Sequence, residues 1–435
     1  MATELGTVKS LDEALRALYE AQSATDATWL SRLRENAFAR FAELGFPSVK
    51  NEEWKYTNVA PITRLDFDNK PAYREFDYSA FRLPETADSE LVFLNGKLVE
   101  HPAKLTGAVA LGLTDAAVNQ DYAGVVREHL GRSADYVANG FTALNTSLIG
   151  DGVFIYIPKE AQIGAPLHLL FVADGNQTAA FPRVLIVAEA NSQATIVESY
   201  VGSDGAAYLT NAVVEVVLKD GAVLNHHRVQ HEGASSYHIA TTAADLGAAS
   251  SYNSTAINIG AQLSRHDVSV SMNAEGGECW IDGLYLVTGN QHTDTHSTID
   301  HRQPNCSSHQ LYKGILDGRS RAVFNGKIFV RHNAQKTDAM QTNKNLLLSN
   351  DARVDTKPQL EILADDVKCA HGAAVGQIDE EELFYLETRG IHPDLGRNLL
   401  TYGFAEEVIE KIKIDSIRER LDEAVLHRLN ARLEA

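Results

Sequence analysis

The densest run of side chains able to hold a metal is His292, His296, His301, Cys306 and His309. Imidazole and thiolate are the ligands that zinc and other transition metals prefer. On a helix, His292 and His296 would share one face. Their neighbours Thr293, Thr295, Thr298 and Ile299 read as strand instead. Four strand residues put the two histidines roughly 13 Å apart, too far to grip one ion. The run therefore reads as hydrogen-bonded histidines along a polar β face. Cys369 and His371 form a second candidate. In the strand from Asp366 to His371 they share a face, with Cα atoms about 7 Å apart. A thiolate and an imidazole so spaced can reach one iron or zinc ion. Two ligands do not close a site, so others must come from elsewhere, another chain included. Cys369 has an alternative reading as a buried thiol, because free cysteine is among the most buried residue types.

Two acidic pairs, Asp365–Asp366 and Asp300 with Asp317, raise a third chemistry. Two carboxylates at a set separation hydrolyse glycosides, so a β-helix carbohydrate-active enzyme is an alternative function. Aspartate is also common in turns. The chain has no Gly-x-x-x-x-Gly-Lys-Ser/Thr, no Gly-x-Gly-x-x-Gly after a strand, no Gly-x-Ser-x-Gly and no His-Glu-x-x-His. It shows no means of its own to hydrolyse ATP or carry a dinucleotide.

Composition narrows the field. The 435 residues carry 58 acids against 39 bases, a net charge of −19. That balance opposes nucleic-acid binding and a polybasic membrane anchor. No apolar run approaches the ~20 residues of a membrane helix. The segment Met1–Ser10 lacks the apolar core of a signal peptide, so the sequons at Asn145, Asn176, Asn253 and Asn305 carry no meaning. Three scattered cysteines make no disulfide framework. The expected location is the cytoplasm.

Three textures position these groups. Residues 1–88 read as a small helical domain. Leu11, Leu15 and Leu18 recur at helical spacing, as do Leu30, Leu33, Ala37, Phe38, Phe41 and Leu44 before Gly45-Phe46-Pro47. Residues 89–378 alternate short apolar runs with turns, as in Val153–Ile157, Ala194–Val197, Ala212–Leu218 and Ala322–Phe324. No proline interrupts the stretch between Pro182 and Pro304, which suits paired central strands. The glycines of successive turns, Gly221, Gly247, Gly276 and Gly318, are unevenly spaced. A β-sandwich or barrel and an irregular β-helix both fit; the elongated coil accommodates such length better. Residues 379–435 read as a bundle of three or four helices. Asp379 with Glu382 makes a capping box, Gly390 is a stop, His392-Pro393 opens a helix ending near Gly403, and Asp415 caps a last one bearing Ile417, Leu421, Val425 and Leu429.

Longer motifs resemble a known family. They are Val354–Ile362, Ala364–Ala373 (with Asp-Asp-Val-Lys-Cys-Ala-His-Gly), Leu383–Leu386 and Thr388–Ile391. Upstream stand Leu311–Gly314, Arg321–Gly326 and Ala334–Asp338, and earlier Gly45–Pro47, Glu52–Thr57, Ile157–Lys159 and Ala165–Leu167. Together they resemble the SufB and SufD subunits of the SUF iron–sulfur cluster assembly system. SufB carries Glu-His-Glu-Ala where this chain has Ala370-His371-Gly372-Ala373. SufB also carries a cysteine in Gln-Cys-Asp-Ser where this chain has Thr342-Asn343-Lys344-Asn345. The pattern is of the SufD type, which should not assemble a cluster alone.

The resemblance implies a mainly β fold: a right-handed parallel β-helix core flanked by N- and C-terminal α-helical domains. It implies a non-catalytic scaffold that pairs with SufB near the C-terminal end of the β-helix. It implies that the C-terminal helices dock the SufC ATPase. It implies no tightly bound cofactor in the isolated chain, with transient iron or a nascent Fe–S cluster in the complex. His371 is then the candidate iron or cluster ligand at the SufB interface, and Cys369 the weaker candidate. A sheet surface made for a related partner also gives the isolated chain a route to a homodimer.

Overall fold

The computed structural model describes residues 11–22, 27–65, 67, 76–102, 105–150 and 152–434. Met1–Ser10 and the side chains of Leu11 and Leu429 lie outside the described residues. The chain winds into a parallel β-solenoid of about eight turns with helices at both ends, the expected mainly β architecture. Each turn contributes one strand to each of two sheets. The first sheet runs from Lys97–Glu100 through Glu90–Leu94 and on to Ser307–Leu316, Asp338–Leu347 and Lys368–Gly376. The second runs from Val109–Gly112 to His292–His301, Arg321–Val330 and Arg353–Ile362.

Stacking is strictly in register. Gln193, Val223, Ser251, Glu278, Ser307, Asp338 and Lys368 form one column of the first sheet, at steps of 27 to 31 residues. The corner that follows each strand of the second sheet sets this step. Glu160, Asn191, Gly221, Ala249, Gly276, Asn305 and Lys336 all have positive φ there, between 51° and 76°. Each donates its N–H to a carbonyl of the next turn, as Asn191 does to Asp220 and Asn305 to Gln335, both at 2.9 Å. Only two of the seven are glycine. The glycine steps read from the sequence mixed two corners, since Gly318 belongs to the opposite one.

The interior is apolar toward the N-terminal end, where Leu169, Ile186, Ile196 and Val214 meet. Toward the other end it turns polar, with Gln310, Gln341, Asn343 and Asn345 buried and bonded to their neighbours.

Helices cover both sheets. Trp54, Phe41 and Leu15 from the N-terminal region pack with Phe141 on Leu209, Ile239 and Leu263 of the second sheet. Within the stretch read as β, three short helices intervene at Leu113–Ala116, Ala123–His129 and Gly140–Ser147. The last is buried on every side, so it offers no amphipathic period to read. A buried Arg183–Glu215 pair anchors this insertion: Glu215 also accepts the N–H groups of Gly131, Arg132, Ser133 and Ala134.

At the other end, the helices do not form a separate bundle. Ala405, Val408, Ile409, Ile417, Leu421 and Val425 pack on Ile257, Leu284, Leu286 and Ile315 of the first sheet. Asp379 caps its helix by accepting from the N–H of Glu381 at 2.8 Å. The second helix runs Pro393–Ile409 and passes through Gly403. An interior glycine costs about 1 kcal/mol, less than the burial of the turn that follows it. Glu85, not Asp415, receives the N–H of Ser416 at 3.1 Å, while Asp415 pairs with Arg418.

The N-terminal segment is clamped to the second sheet by charge. Arg265 lies 3.8 Å over the Trp54 ring and pairs with Asp294, which also accepts from the Thr57 hydroxyl. His296 sits between Asp294 and Glu53. Burial lowers its pKa, but the two carboxylates outweigh that and raise it from 6.5 to about 9. The folded value exceeds the unfolded one, so this contribution is complete below about pH 6.5 and is lost as pH rises through 9.

Two outcomes follow for stability. His296→Gln should lower stability by about 2 kcal/mol near pH 6.5 and flatten its decline between pH 7 and 9.5, measured by urea unfolding across that range. Lys336, exposed and left-handed, should lose about 1–2 kcal/mol on replacement by Ile, whereas Lys336→Asn should be near neutral.

Candidate functional site

The five-residue His/Cys run is dispersed by the strand that carries it. His292 and His296 lie on the outer face of the second sheet; His292 Nε2 is 3.0 Å from the Thr57 hydroxyl. His301, on the inner face, is 2.8 Å from the Ser308 hydroxyl. Cys306 is at the corner, its thiol 3.4 Å from the Ala274 carbonyl. His309 is on the outer face of the first sheet, stacked on Trp280 at 4.2 Å. These are hydrogen-bonded and stacked histidines, not one ligand set. Among the described residues no group of three or more His, Cys, Asp or Glu side chains could hold a metal ion.

The acidic pair Asp300 and Asp317 separates as well. Asp300 accepts from Arg302 and Arg331 at one corner of its coil. Asp317 follows the ten-residue strand Ser307–Leu316, at the opposite corner. Roughly 30 Å of strand lies between those corners, against the ~5–9.5 Å that a glycosidase pair requires.

Cys369 and His371 belong to Lys368–Gly376, the last strand of the first sheet. Among the described residues it pairs only with Asp338–Leu347, placing Cys369 beside Ala339 and His371 beside Gln341. Among the described residues the last strand of the second sheet, Arg353–Ile362, likewise pairs on one side alone. The solenoid therefore ends in two neighbouring free strand edges, with backbone donors and acceptors available for pairing.

Along that end His371 is exposed, and so are Met340, Ile362, Leu363 and Val375. Cys369 is half-buried against Ile328, Val330, Ala334, Ala339 and Ala364. Burial, then the nearby Asp338 carboxylate, push its thiol above the ordinary cysteine range. The sulfur-free stretch Thr342–Asn345 lies on the strand next to His371.

The helices beyond this end carry a second exposed apolar group. Phe384, Tyr385, Leu395 and Leu399 are between 46 and 66% exposed. Of the helix Glu380–Thr388, only Leu383 is buried.

Sequence reasoning also missed a polar cluster inside the solenoid. Glu198 accepts from Tyr200 and His226, and Glu232 from Thr210, Gln230 and His238. Arg228 donates to His238 and Asn258. Burial raises both carboxylates, yet these histidines and hydroxyls hold them below the ordinary range. The cluster is buried throughout, and its hydrogen bonds join successive coils. Its only signature in the sequence was polar residues at inward positions of unrecognised coils.

A free edge, one exposed histidine and an apolar helix face together describe a subunit of an assembly. Family comparison agrees. Residues 171–404 match the SUF system FeS cluster assembly SufBD core domain, and residues 9–169 the SufBD protein N-terminal region. The chain belongs to the SufBD family.

Among SufBD relatives, an iron–sulfur cluster assembly SufBD family protein of Synechocystis sp. is 36% identical, over 95% of each chain. The iron–sulfur cluster assembly protein SufD of Escherichia coli is 33% identical over 89% of this chain and 90% of its own. SufD of Bacillus subtilis is 29% identical over 96% and 98%. This SufBD protein is thus a component of SUF iron–sulfur cluster assembly. No helix among its described residues is long and apolar enough to cross a membrane.

The three thiols should differ in reactivity. At pH 7.5 in the native protein, Cys369 should alkylate more slowly than glutathione, and the buried Cys279 and Cys306 only on unfolding. Mass spectrometry of a timed iodoacetamide reaction reads this directly.

Proposed function

We propose that this chain is the SufD-type, non-catalytic scaffold of a cytoplasmic SufB–SufC–SufD complex. The observation that carries the reading is the open C-terminal end of the solenoid, where two free strand edges and exposed apolar side chains flank His371. SufB, built on a related coil, extends both sheets across that end. The SufC ATPase docks on the helices 380–409, over Phe384, Tyr385, Leu395 and Leu399. Both surfaces sit on one rigid frame, because the second helix is tied to the first sheet. There Lys313, almost fully buried, donates to the Phe404 carbonyl at 2.8 Å and pairs with Glu407. Lys411 reaches Asp282 at 2.8 Å. Nucleotide-driven movement of SufC passes through these clamps to the SufB interface.

Iron and the nascent cluster are cargo in this reading. His371 supplies an imidazole to iron at the interface, and SufB supplies the thiolate and carboxylate groups that this chain lacks there. Cys369 is the weaker candidate, its thiol held protonated by burial. Without SufB, the same free edges pair two copies of this chain into a homodimer.

In a reconstituted, anaerobic complex, His371→Ala should abolish cluster formation while all three subunits still co-purify; full activity in that variant would sink the assignment. Leu399→Glu combined with Phe384→Glu should weaken the association with SufC by at least about tenfold in calorimetric titration, leaving the SufB pairing unchanged.

A further inference from the structure

The last coil of the solenoid has little of its own to hold it. Its strands Arg353–Ile362 and Lys368–Gly376 contain no buried residue, whereas every residue of Leu209–Leu218 is buried. Among the described residues it stacks on one neighbouring coil alone. A terminal repeat so placed opens at lower cost than the repeats behind it.

A short piece of the N-terminal region crosses four successive strands of the second sheet and reaches this coil. Trp54 anchors it. The ring is buried, 5.5 Å from Phe141 between centroids, under the Arg265 guanidinium of Leu263–Met272. Thr57 donates to Asp294 on the next strand, His292–His301. Glu53 is the hub. Its carbonyl accepts from Arg265 at 2.8 Å, and one carboxylate oxygen lies 3.3 Å from His296 Nδ1. The other lies 2.6 Å from the Lys327 ammonium, on Arg321–Val330. Glu52 goes one strand further, 3.2 Å from the Lys357 ammonium on Arg353–Ile362.

The hydrogen bond with His296, then Lys327, outweigh burial and lower the Glu53 pKa from 4.5 to about 2. The hub is therefore ionised across the neutral range. The segment does not lie flat on the sheet. Cavities of about 470 and 140 Å³ flank it, and Glu52, Glu53 and His296 help to line both. The pins to the last two strands are ion pairs. The Glu52–Lys357 pair is the more exposed of the two and weighs less than Glu53–Lys327.

We propose that Glu52–Thr57 is a releasable strap that keeps the open end of the solenoid rigid. Closed, it ties the last two coils to the buried Trp54 anchor. Released at Glu53, it lets the terminal coil, with Cys369 and His371, open as one unit ahead of the rest. That coil runs directly into the helix Glu380–Thr388, so the strap couples the N-terminal region to the C-terminal helices across the sheet. The inference concerns the chain by itself and does not depend on the role assigned to His371.

The test is hydrogen exchange with mass spectrometry on the full-length chain. Glu53→Gln keeps the shape of the side chain and removes its charge. Relative to the buried strand Leu167–Ala173, amides of Arg353–Gly376 should then exchange at least about tenfold faster. Those of Arg321–Val330 should rise by a smaller factor. Lys327→Met should speed the same amides, and Lys327→Arg should leave them protected. The double variant Glu53→Gln, Lys327→Met should exchange no faster than Glu53→Gln alone, since both act on one pair. The proposal is overturned by unchanged exchange of the last coil in Glu53→Gln. A rise spread evenly over all coils overturns it too, because Glu53 would then be a general stabiliser. So does an equal loss of protection with Lys327→Arg and Lys327→Met.

Discussion

The corner hydrogen bond between successive coils is the constraint on which the molecule depends. At each corner after the second sheet, one residue turns left-handed and hands its N–H to the next coil. That bond fixes how far one coil advances over the previous one, and the strands then pair in register over as many as ten residues. Because the pleat alternates side chains between faces, register decides which groups are buried. A slip of one residue would turn Gln310, Gln341 and the Glu198–His226 pair outward and bring the outer-face carboxylates into the core.

A ladder of this kind has no intrinsic end. The two ends are resolved by different means. At the N-terminal end, the antiparallel strands Lys97–Glu100 and Val109–Gly112 cover the sheet edges. At the C-terminal end, no segment among the described residues covers Arg353–Ile362 or Lys368–Gly376. An edge left open beside exposed apolar side chains is an aggregation hazard for a monomer and a docking surface for a subunit. Membership of the SufBD family favours the second meaning. The clamps Lys313–Glu407 and Lys411–Asp282 then give the outer helices a mechanical hold on the same sheet that ends at His371.

The helical ends around a β core, the strand character of Val153–Ile157 or Ala212–Leu218, and the shared face of Cys369 and His371 were legible in the sequence. Each is a local property of side-chain alternation and turn chemistry. The long motifs from Arg321 to Ile391 carried the family as well. The solenoid period was not legible, because its marker is a backbone angle. Glutamate, asparagine, alanine and lysine adopt that angle as well as glycine, wherever the neighbouring coil accepts the hydrogen bond. The helix Gly140–Ser147 was hidden for a related reason: burial on all sides removes the periodicity by which helices are recognised.

Only the tertiary structure decided which equal-looking residues share a place. It sent His292, His301, Cys306 and His309 to separate surroundings although they crowd together in sequence. It brought Trp280 and Asp282 of one coil and His227 of another to the border of one cleft. It also left the apolar side chains of Phe384 and Leu399 exposed on the C-terminal helices. Sequence spacing fixes distances along a strand, at about 3.3 Å per residue, and thereby what cannot meet. What does meet across coils depends on the step of the solenoid, and that step is set by contacts some thirty residues apart, beyond the reach of any local pattern.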